Sequence, residues 1–166
     1  LKWIDENRKP FEELATELWH KPEIAYEERE AVRLQMEFMK ARGFRVTQKD
    51  GLPTAFVAEW GEGGPVIGIL GEYDALAGLS QSVSPRIDPV KAGAPGHGCG
   101  HNLLGVGGML AACAIREVVA AQKIAGTVRY YGCPAEEQLT GKGKMAKLGY
   151  FEGLDASLAW HPSDHS

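Results

Sequence analysis

The segment from Ala94 to Gly105, APGHGCGHNLLG, sets two imidazoles and a thiol within five residues, His97, Cys99 and His101, with glycines between them. Imidazole and thiolate both suit zinc and similar divalent ions. In an extended segment Cys99 and His101, two positions apart, project to the same side, and Gly100 adds no side chain to crowd an ion. A lone Cys-x-His is more often a glycine-rich turn with incidental donors, so the reading depends on donors elsewhere. Glu136-Glu137 supplies two adjacent carboxylates pointing in different directions, one free to bind a metal and the other to move a proton. A divalent ion lowers the pKa of bound water to about 7, and a neighbouring base completes what hydrolysis needs. Glu72, Asp74 and His161 add further donors.

Each of these has a plain structural alternative. Glu136-Glu137 alone reads as a solvated pair opening a helix. His161 reads as an edge-of-core imidazole, and Glu72 with Asp74 as a turn cap. His97 is a spare donor that supports the ligands or faces substrate. His20 reads as a helix end, Cys113 as a small core residue, and His165 carries no signal. Gly141-Lys142-Gly143-Lys144 lacks the full GxxxxGK[ST] pattern of a phosphate loop.

The elements that must position these residues follow from periodicity. Trp3, Phe11, Leu14 and Leu18 recur at helical spacing and predict a helix over 1–19, broken at Lys21-Pro22. A second helix is expected over 27–42, with Val32, Leu34, Met36, Phe38 and Met39 as apolar members and Gly43 as its stop. Strands are expected over 44–48, 54–60, 66–70, 127–132 and 156–160, and a short helix over 141–148. The long loop over 71–100 is functional on length grounds. Residues 102–122 are apolar almost all round, and Gly105, Gly107, Gly108, Ala111 and Ala112 let another element approach closely, which predicts a buried helix. The alternation gives an α/β fold with a central, mixed, largely parallel sheet flanked by helices in three layers. Sites in such sheets form at the carboxyl ends of strands, where Glu72, Asp74, Glu136, Glu137 and His161 all fall.

The bulk properties narrow the classes further. The 166 residues are 44% hydrophobic and 24% charged with net charge -4, which gives one domain and no footprint for nucleic acid or an anionic membrane. No run approaches the roughly 18 consecutive apolar residues of a membrane span, and no signal peptide is expected, since no basic stretch followed by an apolar one stands in the opening residues. Three cysteines, an odd number, argue for a reducing cytoplasm.

Five ordered motifs then carry a resemblance: His20-x-Pro22-Glu23, Glu72-Tyr73-Asp74-Ala75-Leu76, Gly98-Cys99-Gly100-His101-Asn102, Pro134-Ala135-Glu136-Glu137 and Ala159-Trp160-His161-Pro162. Together they resemble the two-metal amidohydrolases of the aminoacylase and glutamate-carboxypeptidase clan. Within it they resemble the branch of auxin-conjugate, hippurate and p-aminobenzoyl-glutamate hydrolases. The resemblance implies a phosphorylase/hydrolase-like fold of the zinc-peptidase type and two divalent ions, manganese or zinc. It implies Cys99, His101, Glu137 and His161 as ligands and Glu136 as general base. Asp74 matches an acid beside the site. Glu72 stands where the wider clan has a ligating His, so direct ligation by Glu72 stays open. Asn102 stands where most of the branch has Asp.

The implied reaction is hydrolysis of the amide of a small N-acyl amino acid, such as p-aminobenzoyl-glutamate or a similar aromatic conjugate. A metal-bridged hydroxide attacks, and Glu136 takes its proton. Members of the clan run much further, through a lid domain that makes the dimer and supplies one more ligand. Residues 1–166 are therefore expected to be the N-terminal part of the catalytic domain, inactive alone, from a homodimer or a hetero-oligomer with a related subunit. Three alternatives remain at this level: a non-catalytic homologous subunit, a related dipeptidase or aminoacylase, and a redox protein using Cys99. The last lacks a CxxC or a basic neighbour.

Overall fold

A computed structural model describes residues 2–162, so Leu1 and His165 lie outside the described residues. The expected first helix is two, α1 (Lys2–Asn7) and α2 (Lys9–His20). Pro10 lies in the first turn of α2, where its missing N–H has no helical partner to lose; continued helix before it would lose that bond. α3 (Arg29–Ala41) follows and then β1 (Arg45–Thr47), β2 (Phe56–Glu62) and β3 (Val66–Glu72). After the loop come α4 (His101–Gln122), β4 (Gly126–Cys133), α5 (Gly141–Lys147) and β5 (Ala156–Leu158). All five expected strands are present, with no end shifted by more than two residues.

The sheet order is β1-β2-β4-β3-β5. β3 runs parallel to both β4 and β5, β2 antiparallel to β4, and β1 antiparallel to β2. Four strands thus share one direction and β2 alone is reversed. β4 shows why the sheet has two covered faces. Val128 and Tyr130 enter a core with Phe11, Leu18, Met39 and Met109 from the helices, while Tyr131 and Cys133 enter a second core with Leu52, Met145 and Tyr150. Period-two alternation sends successive residues to opposite faces, giving the helix–sheet–helix layering.

By length and composition α4 could cross a membrane, with a mean hydropathy of 1.7 in its most apolar window. Here it is a core helix packed on β3 and β4, with Leu104, Val106, Met109, Ala112 and Cys113 buried. A Cβ at Gly105 would stand 2.6 Å from the Glu72 carbonyl oxygen, so glycine lets α4 approach β3. Gly105→Ala gains about 1 kcal/mol of helix propensity but overpacks a backbone contact at about 1–3 kcal/mol. A net loss of roughly 1 kcal/mol in urea unfolding is expected; a more stable variant would show that this approach is loose.

Candidate metal centre

Parallel direction brings the carboxyl ends of β3, β4 and β5 to one edge. β3 ends on Glu72 and leads through buried Tyr73 to Asp74. β4 leads into Glu136 and Glu137, β5 leads to His161, and α4 opens on His101 at the same rim. Cys99 and His101 do not converge from an extended segment. Gly100 has φ 78° and turns the chain into α4. A Cβ there would meet nothing within 4 Å, so glycine is needed for the left-handed backbone and not for room.

His101 is fully buried, and its Nδ1 lies 3.0 Å from both the carbonyl oxygen and Oδ1 of Asp74. Two acceptors on that side place the proton on Nδ1 and leave Nε2 a lone pair. That lone pair faces Glu72 Oε2 at 3.3 Å, Glu136 Oε2 at 3.8 Å and Glu137 Oε1 at 3.9 Å. His101 Nε2, Glu72 Oε2 and Glu137 Oε1 are all buried without a hydrogen-bond partner. Acceptors turned toward one another repel, and a cation among them removes the conflict. The residues present therefore fit a divalent metal. On the exposed side, Cys99 Sγ lies 3.2 Å from His161 Nε2. Two donor groups result, Cys99–His101–His161 and Glu72–His101–Glu136, each with its ligand atoms within 4.8 Å of one another. One ring nitrogen has one lone pair, so His101 serves a single ion.

The electrostatics fit a site for a cation. Burial pushes the Cys99 thiol up to about 11, and the charges of Glu137, Glu136 and Glu72 add to the rise. Burial also raises Glu137 above the usual carboxylate range; His101 opposes this, and Asp74 and Glu136 reinforce it. For His101 burial works downward, but the bond and charge of Asp74 outweigh it and the pKa is raised. A divalent cation would reverse these trends, deprotonating the thiol and competing with the imidazole proton. Lys142 pairs with Glu72 Oε1, which leaves Oε2 for the cluster.

The remaining expected residues fall elsewhere. Asn102, about 100° around α4 from His101, donates from Nδ2 to the Ala15 carbonyl at 3.0 Å and so ties α4 to α2. His97 Nε2 lies 3.2 Å from the Leu18 carbonyl, and the ring borders a cavity of about 350 Å³ lined also by Trp19, His20, Leu79 and Lys91. Burial pulls the His97 pKa down to about 4, so it is neutral. His20 ends α2 and Cys113 is core, as expected. Sequence reasoning missed Glu28 and Gln35, both completely buried. Glu28 stands in the charged run Glu27-Glu28-Arg29-Glu30, where nothing distinguishes it from its solvated neighbours.

No family model matches the chain. One of the subunits of the Escherichia coli p-aminobenzoyl-glutamate hydrolase is 44% identical over 161 residues, covering 96% of this chain and 34% of that protein. A mouse Xaa-Arg dipeptidase is 35% identical, covering 98% of this chain and 37% of its own length. The chain thus spans about a third of the length of these curated relatives. Among solved structures, the Bacillus subtilis YXEP protein, a dinuclear metal binding peptidase from the M20 family, superposes with a TM-score of 0.81 at 25% identity. That match covers 94% of this chain and 43% of the other. An aminobenzoyl-glutamate utilization protein from Klebsiella pneumoniae shares the fold, with a TM-score of 0.71 at 14% identity over 98% of this chain and 45% of its own. Fold and sequence make the chain a relative of the M20 metallopeptidases. Within them it resembles the p-aminobenzoyl-glutamate hydrolase branch.

Proposed function

We propose that the protein carrying these residues is a metal-dependent amidohydrolase that cleaves the amide of an N-acyl amino acid, p-aminobenzoyl-glutamate or a similar aromatic conjugate. The supporting observation is the set of mutually facing, unpartnered atoms His101 Nε2, Glu72 Oε2 and Glu137 Oε1 beside Glu136. Cys99, His101, Glu137 and His161 hold two divalent ions in this reading, manganese or zinc, with Glu72 available as a further carboxylate donor. Asp74 orients His101, and residues 1–166 serve as the N-terminal part of the catalytic domain. Bound ions supply a polarised carbonyl and a water of lowered pKa. Glu136 takes the proton of the attacking water on Oε2 and returns it to the leaving nitrogen. Its carboxylate is 27% exposed and makes no hydrogen bond among the described residues, which leaves it free for that transfer. Three free thiols suit a reducing cytoplasm. The Escherichia coli relative is one subunit of its enzyme, which favours an oligomer for the complete protein here.

The test is hydrolysis of p-aminobenzoyl-glutamate by the complete protein with manganese, with zinc and after chelation. Metal-dependent glutamate release is expected. Cleavage of Xaa-Arg dipeptides in its place would keep the chemistry and move the substrate; inertness toward every amide with metal bound would leave a non-catalytic subunit. Cys99→Ala is expected to lower metal content from two ions toward one by elemental analysis, and unchanged content would remove Cys99 from the ligands.

A further inference from the structure

Glu136 lies between Ala135 and Glu137, and the N–H of each of these two residues donates to a buried carboxylate. The Glu137 N–H donates to Asp74 Oδ2 at 2.9 Å. The Ala135 N–H donates to Glu28 Oε1 at 2.8 Å, across 107 residues of sequence. Ala135 is fully buried and has φ 54°, the left-handed region that costs a non-glycine residue about 1–2 kcal/mol. Its own carbonyl accepts from the Gly141 N–H at 3.3 Å, which closes the loop between β4 and α5 behind Glu136. Glu28 is 0% exposed and comes from the turn that opens α3; its Oε2 has no partner. A buried carboxylate is costly to keep, and an apolar side chain would suit the interior better unless the acceptor is used.

Resting on the amidohydrolase reading, we propose that Glu28 is a positioning residue: its Oε1 fixes the left-handed Ala135 backbone and so aims the Glu136 carboxylate at the attacking water. Asp74 performs the same service from the other side, so the residues before and after the base are both tethered while its own carboxylate stays free. Burial pushes the Glu28 carboxyl up to about 7. Glutamine is therefore a close mimic of its neutral form and retains the acceptor oxygen. Aspartate, one methylene shorter, keeps the carboxyl but withdraws the acceptor by roughly 1.5 Å, comparable to one bond length.

The experiment compares wild type, Glu28→Gln and Glu28→Asp in the complete, metal-loaded protein, and follows hydrogen exchange of the Ala135 amide in the metal-free protein. Glu28→Gln should keep kcat near wild type. Glu28→Asp should lower kcat by roughly 10- to 100-fold, the scale of a 1 Å misplacement, with KM and metal content unchanged and faster Ala135 exchange. Wild-type kcat in Glu28→Asp would overturn the proposal, as would an equal loss in Glu28→Gln, which would assign the effect to charge. If Glu28→Asp does not fold, the wild-type exchange decides: an Ala135 amide exchanging as fast as an exposed one overturns the tether. Absence of hydrolysis by the wild type would defeat the amidohydrolase reading instead, a result the exchange data do not share.

Discussion

Glu136→Gln is expected to lower kcat by about a hundred- to ten-thousand-fold, the range of general acid–base catalysis, while leaving metal content unchanged. The amide is isosteric, so the tethers at Ala135 and Glu137 persist and the loop keeps its shape. What disappears is the ability to take a proton. Geometry sharpens this test, because Glu136 and Glu137 approach His101 Nε2 almost equally, at 3.8 and 3.9 Å. Burial separates them: Glu137 Oε1 is buried and unpartnered, as a ligand atom should be before metal binds, while Glu136 is the more exposed carboxylate. Retained turnover would reject Glu136 as base. Lost metal together with lost turnover would make it a ligand, consistent with its place beside Glu72 and His101.

The second large effect belongs to Asp74, which is 1% exposed and uses both oxygens. Oδ1 fixes the His101 tautomer and Oδ2 holds the Glu137 amide, so one side chain orients two proposed ligands. Partners of this kind are worth about 10- to 100-fold in metal affinity. Asp74→Ala should reach that loss and also cost roughly 3 kcal/mol of stability, because it strands a buried imidazole and a buried amide. Asp74→Asn keeps the volume and one acceptor, and should lose metal affinity with a smaller stability cost. Metal competition titrations and thermal unfolding measure the two separately; tight metal binding by Asp74→Asn would dismiss the orienting role.

The architecture was legible wherever a period was strong. β4 and α3 emerged close to their expected bounds because alternation and the 3.6-residue repeat both report on a face that must be buried. The break between α1 and α2 was also in the sequence, at Pro10, but the apolar stripe running from Trp3 to Leu18 masked it. Donor types and strand ends pointed to the rim. The route by which Cys99 and His101 converge was misjudged, since a left-handed glycine followed by a helix start reads like extended backbone when only spacing is considered. Glu28 was invisible for a deeper reason: its burial is decided by residues more than a hundred positions away, and local pattern carries no trace of that.

The place of β4 in the sheet sets the order in which the protein can assemble. It lies between β2 and β3, although both precede it in the chain, and Glu59 meets Arg129 across 70 residues. Until β4 is made and inserted, β2 and β3 have no common neighbour and the loop bearing Glu136 has no anchor. Pairings of such range are slow to close. Cys99 and His101 likewise gain Glu136 and Glu137 as neighbours only once the central strand is in place. On the metal-centre reading, metal uptake during refolding should lag behind helix formation seen by circular dichroism, and uptake in step with helix formation would show that the donors converge without the central strand.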